Sequence, residues 1–255
     1  LAAGGAKGIA YIPFIRVMEE MGIRPVMVAG ASIGTVIGGF YAAGSSPDEM
    51  LALLEEFHPQ DLTKHFTFNL SGTGIVAGKV VRGYLEEHLP VTTFEETDIP
   101  FKAVATDYWR REQVVLDSGS LPEAIHASAA FPGIFEPLVR NGRVLVDGGA
   151  ANPLPSDLLR NECDFIVGLN VSNRAPNPDT DEVPGGGIMM FNTFRILKDQ
   201  LAEIAIERAP IEVYFRMELP FVETLDFHKY KKILDKVEPE IDRFRKELEE
   251  KLGSR

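Results

Sequence analysis

The sequence predicts an α/β protein in which helices cover both faces of a largely parallel central sheet. Three observations carry this. Apolar segments of strand character alternate with segments of helical period along the 255 residues. Residues 165–171 form a nearly continuous apolar run, as a strand buried on both faces requires. The composition, 45% apolar and 25% charged, is that of an ordinary globular core and excludes a disordered or fibrous chain. No repeat, low-complexity tract or linker interrupts it, so residues 1–255 read as one domain.

A glycine-rich turn at residues 4–8 opens the chain, and a strand leading into it is expected upstream. Ile9, Ile12, Ile15, Met18 and Met21 then recur at helical spacing up to Gly22, a suitable C-terminal cap. Residues 26–47 carry no charge and resemble a membrane span in length, with Gly30, Gly34 and Gly38 spaced like a helix-dimer face. They divide better into a short strand, a tight turn and an Ala/Gly-rich helix ending at Gly44. A second helix starts after Ser46, with Pro47 in its first turn and Asp48 and Glu49 at its positive end. Helix also fits 79–89, and strands fit 101–106 and 113–116. Asn141-Gly142 between apolar flanks marks a hairpin over 138–146. Residues 172–187, with three prolines and three consecutive glycines, read as a mobile loop near a strand end. Residues 226–252 step apolar side chains at three and four amid dense charge, giving an amphipathic C-terminal helix expected to break or restart at Pro239.

Charge narrows the partners. Lys and Arg total 26 against 38 Asp and Glu, a net charge of −12, the wrong sign for tracking nucleic acid or anionic lipid. Any transient membrane-surface contact must therefore be local and apolar. The single cysteine, Cys163, reads as a small core residue and supplies neither a disulfide nor a thiolate cluster. With no signal-peptide pattern in the first thirty residues, a cytoplasmic location is the expectation.

Gly30-Ala31-Ser32-Ile33-Gly34 fits G-x-S-x-G between a predicted strand and helix. A serine on so sharp a turn needs neighbours without bulk, and its hydroxyl then projects beside a helix N-terminus that favours negative charge. A plain packing turn is the alternative. The turn Gly4-Gly5-Ala6-Lys7-Gly8 lacks the G-K-[S/T] ending of a phosphate loop, but successive N–H groups there can form an oxyanion hole. Lys7 either holds that loop electrostatically or is solvated. Asp147-Gly148-Gly149 follows an apolar strand, so its carboxylate can approach another strand end, although the triplet also reads as a tight turn. Of the five histidines, none follows a strand in a glycine-rich turn. His126, in a predicted helix, is the internal candidate for a base, and His228 completes a Ser-Asp-His chain order with Ser32 and Asp147.

The ordered motifs, Gly4 to Gly8, Gly30 to Gly34, Ala127-Ser128-Ala129-Ala130-Phe131-Pro132 and Asp147 to Gly149, resemble those of the patatin-like phospholipases, acyl hydrolases with a Ser-Asp dyad and no histidine. The resemblance runs from Ala3 to about Val171. It implies a three-layer α/β/α fold, Ser32 as nucleophile, Asp147 as its base and the amides of Gly4, Gly5 and Ala6 as the oxyanion hole. Ala3 stands where the family usually has the first of three glycines. The reaction implied is hydrolysis of a lipid ester, whether phospholipid, lysophospholipid or acylglycerol, with no cofactor. No metal-ligand spacing is present in the sequence. A triad hydrolase using His228, or a lipid-binding module that merely keeps the fold, are the other readings. Phe66, Phe68, Leu70 and Ile75, or Ile188, Met189, Met190 and Phe191, are candidates for the acyl channel, and the loop 172–187 for its gate. The oligomeric state is left open.

Overall fold

A computed structural model of the chain describes residues 1–56, 76–172 and 183–254. The glycine turn is a 3-10 helix, Gly5–Ala10, that runs directly into α1 (Tyr11–Glu20), and Gly22 closes α1 at a φ of +71° that only glycine adopts freely. Then follow β1 (Val28–Ala31), α2 (Ile33–Ala42) and α3 (Pro47–Glu56). A reciprocal cap starts α3: the Ser46 hydroxyl accepts from the Glu49 N–H at 3.3 Å, and the Glu49 carboxylate accepts from the Ser46 N–H at 2.8 Å. The remaining elements are α4 (Gly78–His88), β2 (Phe101–Asp107), β3 (Glu112–Leu116), α5 (Leu121–Ala129), β4 (Leu138–Arg140), β5 (Arg143–Asp147), β6 (Val167–Asn170), α6 (Gly186–Arg208), β7 (Val213–Arg216) and α7 (Tyr230–Gly253). Asn141 and Gly142 both take positive φ, 51° and 72°, the turn the hairpin signal predicts.

The α/β class stands, but the strand directions correct the expectation of a largely parallel sheet. β1 pairs with β2, and β6 with β7, in parallel; β3 and β5 pair with β2, and β4 with β5, antiparallel. Apolar pattern identifies a strand and its burial, not its direction. Residues 1–3 join the two sheets: the Leu1 amine donates to Ala29 O, the Ala31 N–H to Leu1 O, and the Ala2 N–H to Leu169 O.

Alternation along β2 sets the layers. Phe101 and Ala103 face the main core with α1, α2 and α5, whereas Val104 packs with Ala3, Ala31 and Leu158 on the opposite face. There Ala202 of α6 buries against Ala2 and Leu154. Phe14 of α1, Phe215 of β7 and Phe244 of α7 meet edge to face with centroids 4.9 to 5.0 Å apart, anchoring the last helix.

α7 runs unbroken through Pro239, contrary to expectation. Ile233 and Val237 before the proline, and Phe244 and Leu248 after it, are fully buried. Burial on both sides offsets the missing N–H bond, which costs about 3 kcal/mol. Most of the expected loop 172–187, and Phe66, Phe68, Leu70 and Ile75, lie outside the described residues; Gly186 and Gly187 open α6. Cys163 is half-buried, with burial raising its thiol pKa. Among the described residues no helix is long and apolar enough to cross a membrane.

Candidate active site

Two strands end at one point on β2. Because β3 pairs with residues 103–107, it overlaps the positions paired by β1 (101–104) and by β5 (105–107), so β1 and β5 share the other edge. They meet tip to tip there, Ala31 opposite Val104 and Asp147 opposite Ala105. Ser32 and Asp147, 115 positions apart in sequence, are thereby adjacent, and the Ser32 hydroxyl donates to the Asp147 carboxylate at 2.6 Å.

Ser32 sits at φ 54°, ψ −124°, a conformation that costs a non-glycine residue about 1–3 kcal/mol and needs support. The two glycines allow it: a Cβ on Gly30 would stand 2.4 Å from the Gly34 carbonyl oxygen, and one on Gly34 2.3 Å from that of Leu1. The Ser32 carbonyl accepts from Thr35 and Val36 at 2.9 and 3.2 Å, starting α2. Its N–H donates to the hydroxyl of Ser128 at 3.0 Å, and that fully buried hydroxyl also bonds Thr35 Oγ1 at 2.7 Å.

Asp147 is held as closely. Its N–H donates to Ala130 O at 3.0 Å, its carbonyl accepts from Thr106 Oγ1 at 2.8 Å, and its second carboxylate oxygen accepts from the Gly149 N–H at 2.8 Å. A Cβ on Gly148 would lie 2.0 Å from Val104 O, so the triplet is a close approach that no side chain permits, not merely a turn. Thus the segment Ala127 to Pro132 serves both partners: Ser128 fixes the serine and Ala130 the aspartate, roles the sequence alone did not suggest. The carboxyl is 2% exposed. Burial pushes its pKa up from 3.8 to about 6, against the opposing pull of the Ser32 and Gly149 hydrogen bonds and the Lys198 cation.

Gly4 and Gly5 line a small polar pocket with Ser32 and Asp147, and among the described residues no group accepts from their N–H groups. Ala6, expected in the same donor set, is a correction: its N–H donates to Thr224 O at 2.8 Å. The Ala3 N–H is likewise engaged, by Pro153 O at 2.8 Å. Lys7 is buried, and desolvation first, then the nearby Arg195 and Lys198, lower its amine pKa to about 8. Lys198 donates to Ala3 O at 2.9 Å and so ties α6 to the glycine turn. Nothing in the apolar pattern of the sequence pointed to Arg195 or Lys198.

On its other side Ser32 opens into an apolar cavity of about 210 Å³, bounded by Val36, Ile37, Met50, Leu54, Leu85 and Phe131. Ile188, Met189 and Met190 point instead to solvent; of that proposed group only Phe191 reaches the site, stacking on Phe131 at 4.7 Å. His126 lines the cavity, but both its nitrogens are engaged. Arg82 Nη1 lies 3.1 Å from Nδ1 and Glu136 O 2.8 Å from Nε2, so the Arg donor makes Nδ1 an acceptor and leaves the proton on Nε2. Burial also lowers its pKa below the ordinary histidine value. His228 is exposed on the 3-10 turn Phe227–Lys229, and the two Asp147 oxygens accept from Ser32 and Gly149.

A serine on a strained strand-to-helix turn is thus hydrogen-bonded to a buried carboxylate beside the Gly4 and Gly5 amides, on a mixed α/β sheet. A patatin-like phospholipase family model matches residues 1–160, and the chain belongs to that family. An uncharacterized NTE family protein of Mycobacterium bovis is 31% identical over 185 residues, 72% of this chain and 51% of the relative. Lysophospholipase NTE1 of Kluyveromyces lactis is 28% identical over 91% of this chain, which spans 18% of that protein. The chain therefore covers about half the length, or less, of these curated relatives. VipD from Legionella pneumophila shares the fold, with a TM-score of 0.59 at 16% identity over 96% of this chain and 66% of that one.

Proposed function

We propose that the chain hydrolyses carboxylic esters of lipids through an acyl-enzyme on Ser32, with Asp147 as general base. The 2.6 Å hydrogen bond from the Ser32 hydroxyl to a buried carboxylate carries this reading. Ser32 Oγ attacks the ester carbonyl while its proton passes to Asp147, and the Gly4 and Gly5 amides receive the oxyanion. The tetrahedral intermediate collapses, the C–O bond to the alcohol breaks, and the alkoxide leaves with the proton from Asp147. Water then gives its proton to the same carboxylate, attacks the acyl-enzyme, and the fatty acid departs as Ser32 regains its hydrogen. Partial desolvation suits the base: a carboxyl near 6 is ionised at neutral pH yet more basic than a solvated aspartate.

The acyl chain occupies the apolar cavity. The alcohol portion faces the polar pocket, where Lys7 and Lys198 favour a negatively charged group such as a glycerophosphodiester. The name of the yeast relative, a lysophospholipase, supports that substrate class. The test is covalent: a fluorophosphonate probe is expected to label Ser32 in the wild type and nothing in Ser32→Ala, and an unlabelled, folded wild type would leave only a lipid-binding role.

Two further outcomes follow from the geometry. Val36→Trp fills the cavity beside Ser32, so hydrolysis of a dodecanoyl ester is expected to fall about tenfold or more while a butyryl ester changes less than about twofold. Ser128→Ala leaves the strained Ser32 N–H without its acceptor, and kcat is expected to fall about tenfold with KM little changed. An unaltered kcat would remove Ser128 from the positioning of the nucleophile.

A further inference from the structure

α6 is built inside out. In an ordinary surface helix the charged residues face water, as they do in α7, which buries Ile233, Val237, Phe244 and Leu248. In α6 the charged residues Arg195, Lys198, Asp199 and Glu203 turn inward, the first three lining the polar pocket at Ser32. Outward, every exposed residue between 183 and 204 is uncharged. The largest are Val183 (79% exposed), Met190 (72%), Ile188 (61%), Ile196 (60%) and Leu197 (58%), continued by Leu201 and Ile204. The face extends about 27 Å along the helix at 1.5 Å per residue. An apolar surface of that length, free of charge on a chain carrying −12, marks an interaction site.

We propose that this face of α6 docks the protein on a zwitterionic phospholipid surface, with Met190, Leu197 and Ile204, which share one side of the helix, entering the apolar boundary. The inference rests on the lipid-ester reading for its choice of occupant. Continuity with the cavity carries it: Phe191 and Phe194, on the same helix, pack on Phe131 at 4.7 and 5.1 Å, and Phe131 borders both the apolar cavity and the polar pocket. Arg195 pairs with Glu223 at 2.9 Å, bringing the segment of Leu225, a half-exposed cavity residue, to the same rim. At this rim a lipid leaving the surface meets the Phe131 ring and Leu225, beside the Arg195–Glu223 ion pair. The absence of cations on the face, and the net charge, select apolar insertion over attraction to anionic headgroups.

The experiment measures sedimentation with phosphatidylcholine vesicles, using the full chain carrying Ser32→Ala so that binding is read apart from catalysis. Partitioning is expected to persist at about 0.5 M NaCl, where surface electrostatics are screened. Adding Met190→Glu and Leu197→Glu is expected to weaken it at least about tenfold, because each buries a charge in place of an apolar side chain. In the active chain the same pair of substitutions is expected to leave butyryl ester hydrolysis within about twofold, which shows the fold intact. The proposal is overturned by no partitioning, by partitioning unchanged in the double variant, by binding to anionic vesicles alone, or by a dimer that these substitutions dissociate. If vesicles fail to bind while the fluorophosphonate still labels Ser32, docking falls and the hydrolase reading stands; binding without labelling sinks that reading instead.

Discussion

Ser32→Ala and Asp147→Asn are each expected to lower ester turnover by about a thousandfold or more, while His228→Ala and His126→Gln leave it within about threefold. The first removes the nucleophile. The second keeps the shape of the side chain, and an amide oxygen can still accept from the Ser32 hydroxyl, but it cannot take the proton as the Oγ–carbon bond forms. The two should be non-additive, since a base without a nucleophile has nothing to activate. His126 is excluded by its bonds: one nitrogen faces the Arg82 donor and the other the Glu136 carbonyl. Gln preserves part of that pairing and so limits the structural cost of the change. His228 stands exposed on its turn, and the two carboxylate oxygens it would need already accept from Ser32 and Gly149. Initial rates on a p-nitrophenyl ester, normalised to folded protein by circular dichroism, decide the matter. A large loss in either histidine variant would restore the triad.

Much of this site was legible because glycine and chain order carry geometry that apolar pattern does not. The G-x-S-x-G and Asp-Gly-Gly motifs each forbid a side chain at a named position, and the structure finds backbone oxygens at 2.0 to 2.4 Å from where each missing Cβ would be. What escaped was long-range or inverted. That β1 and β5 converge on one edge of β2 depends on pairing between segments 73 residues apart for β1 and about 40 apart for β5, which periodicity does not encode. α6 escaped for a different reason: apolar residues lie on both its sides, Phe191, Phe194 and Ala202 inward and Met190, Leu197 and Leu201 outward, so no single apolar stripe marks it. With it went Lys198, which contributes to the electrostatics of Asp147. Ser128 was visible only as part of a motif, because a hydroxyl that supports another residue's backbone leaves no spacing rule behind.

Asp147 is expected to give activity and stability opposite slopes with pH. The folded carboxyl titrates at about 6 and its ordinary value is 3.8, so the folded state holds the proton more tightly than the unfolded chain does. Its favourable contribution is therefore complete below about pH 4 and is lost as pH rises through about 6, amounting to roughly 3 kcal/mol at the upper limit. Turnover needs the ionised form, so it is expected to rise about tenfold per pH unit below 6 and level off above it. The acidic chain holds other carboxyls, among them Glu212 and Asp226, whose pKa values are lowered on folding and act in the opposite sense. The difference between wild type and Asp147→Asn isolates the one group. Urea unfolding should show that difference growing from pH 4 to about 6.5 and then constant, with the inactive variant the more stable by about 2–3 kcal/mol at pH 8. A difference that does not change with pH would mean that this carboxyl is not held against its desolvation, and the basis for its basicity would be gone.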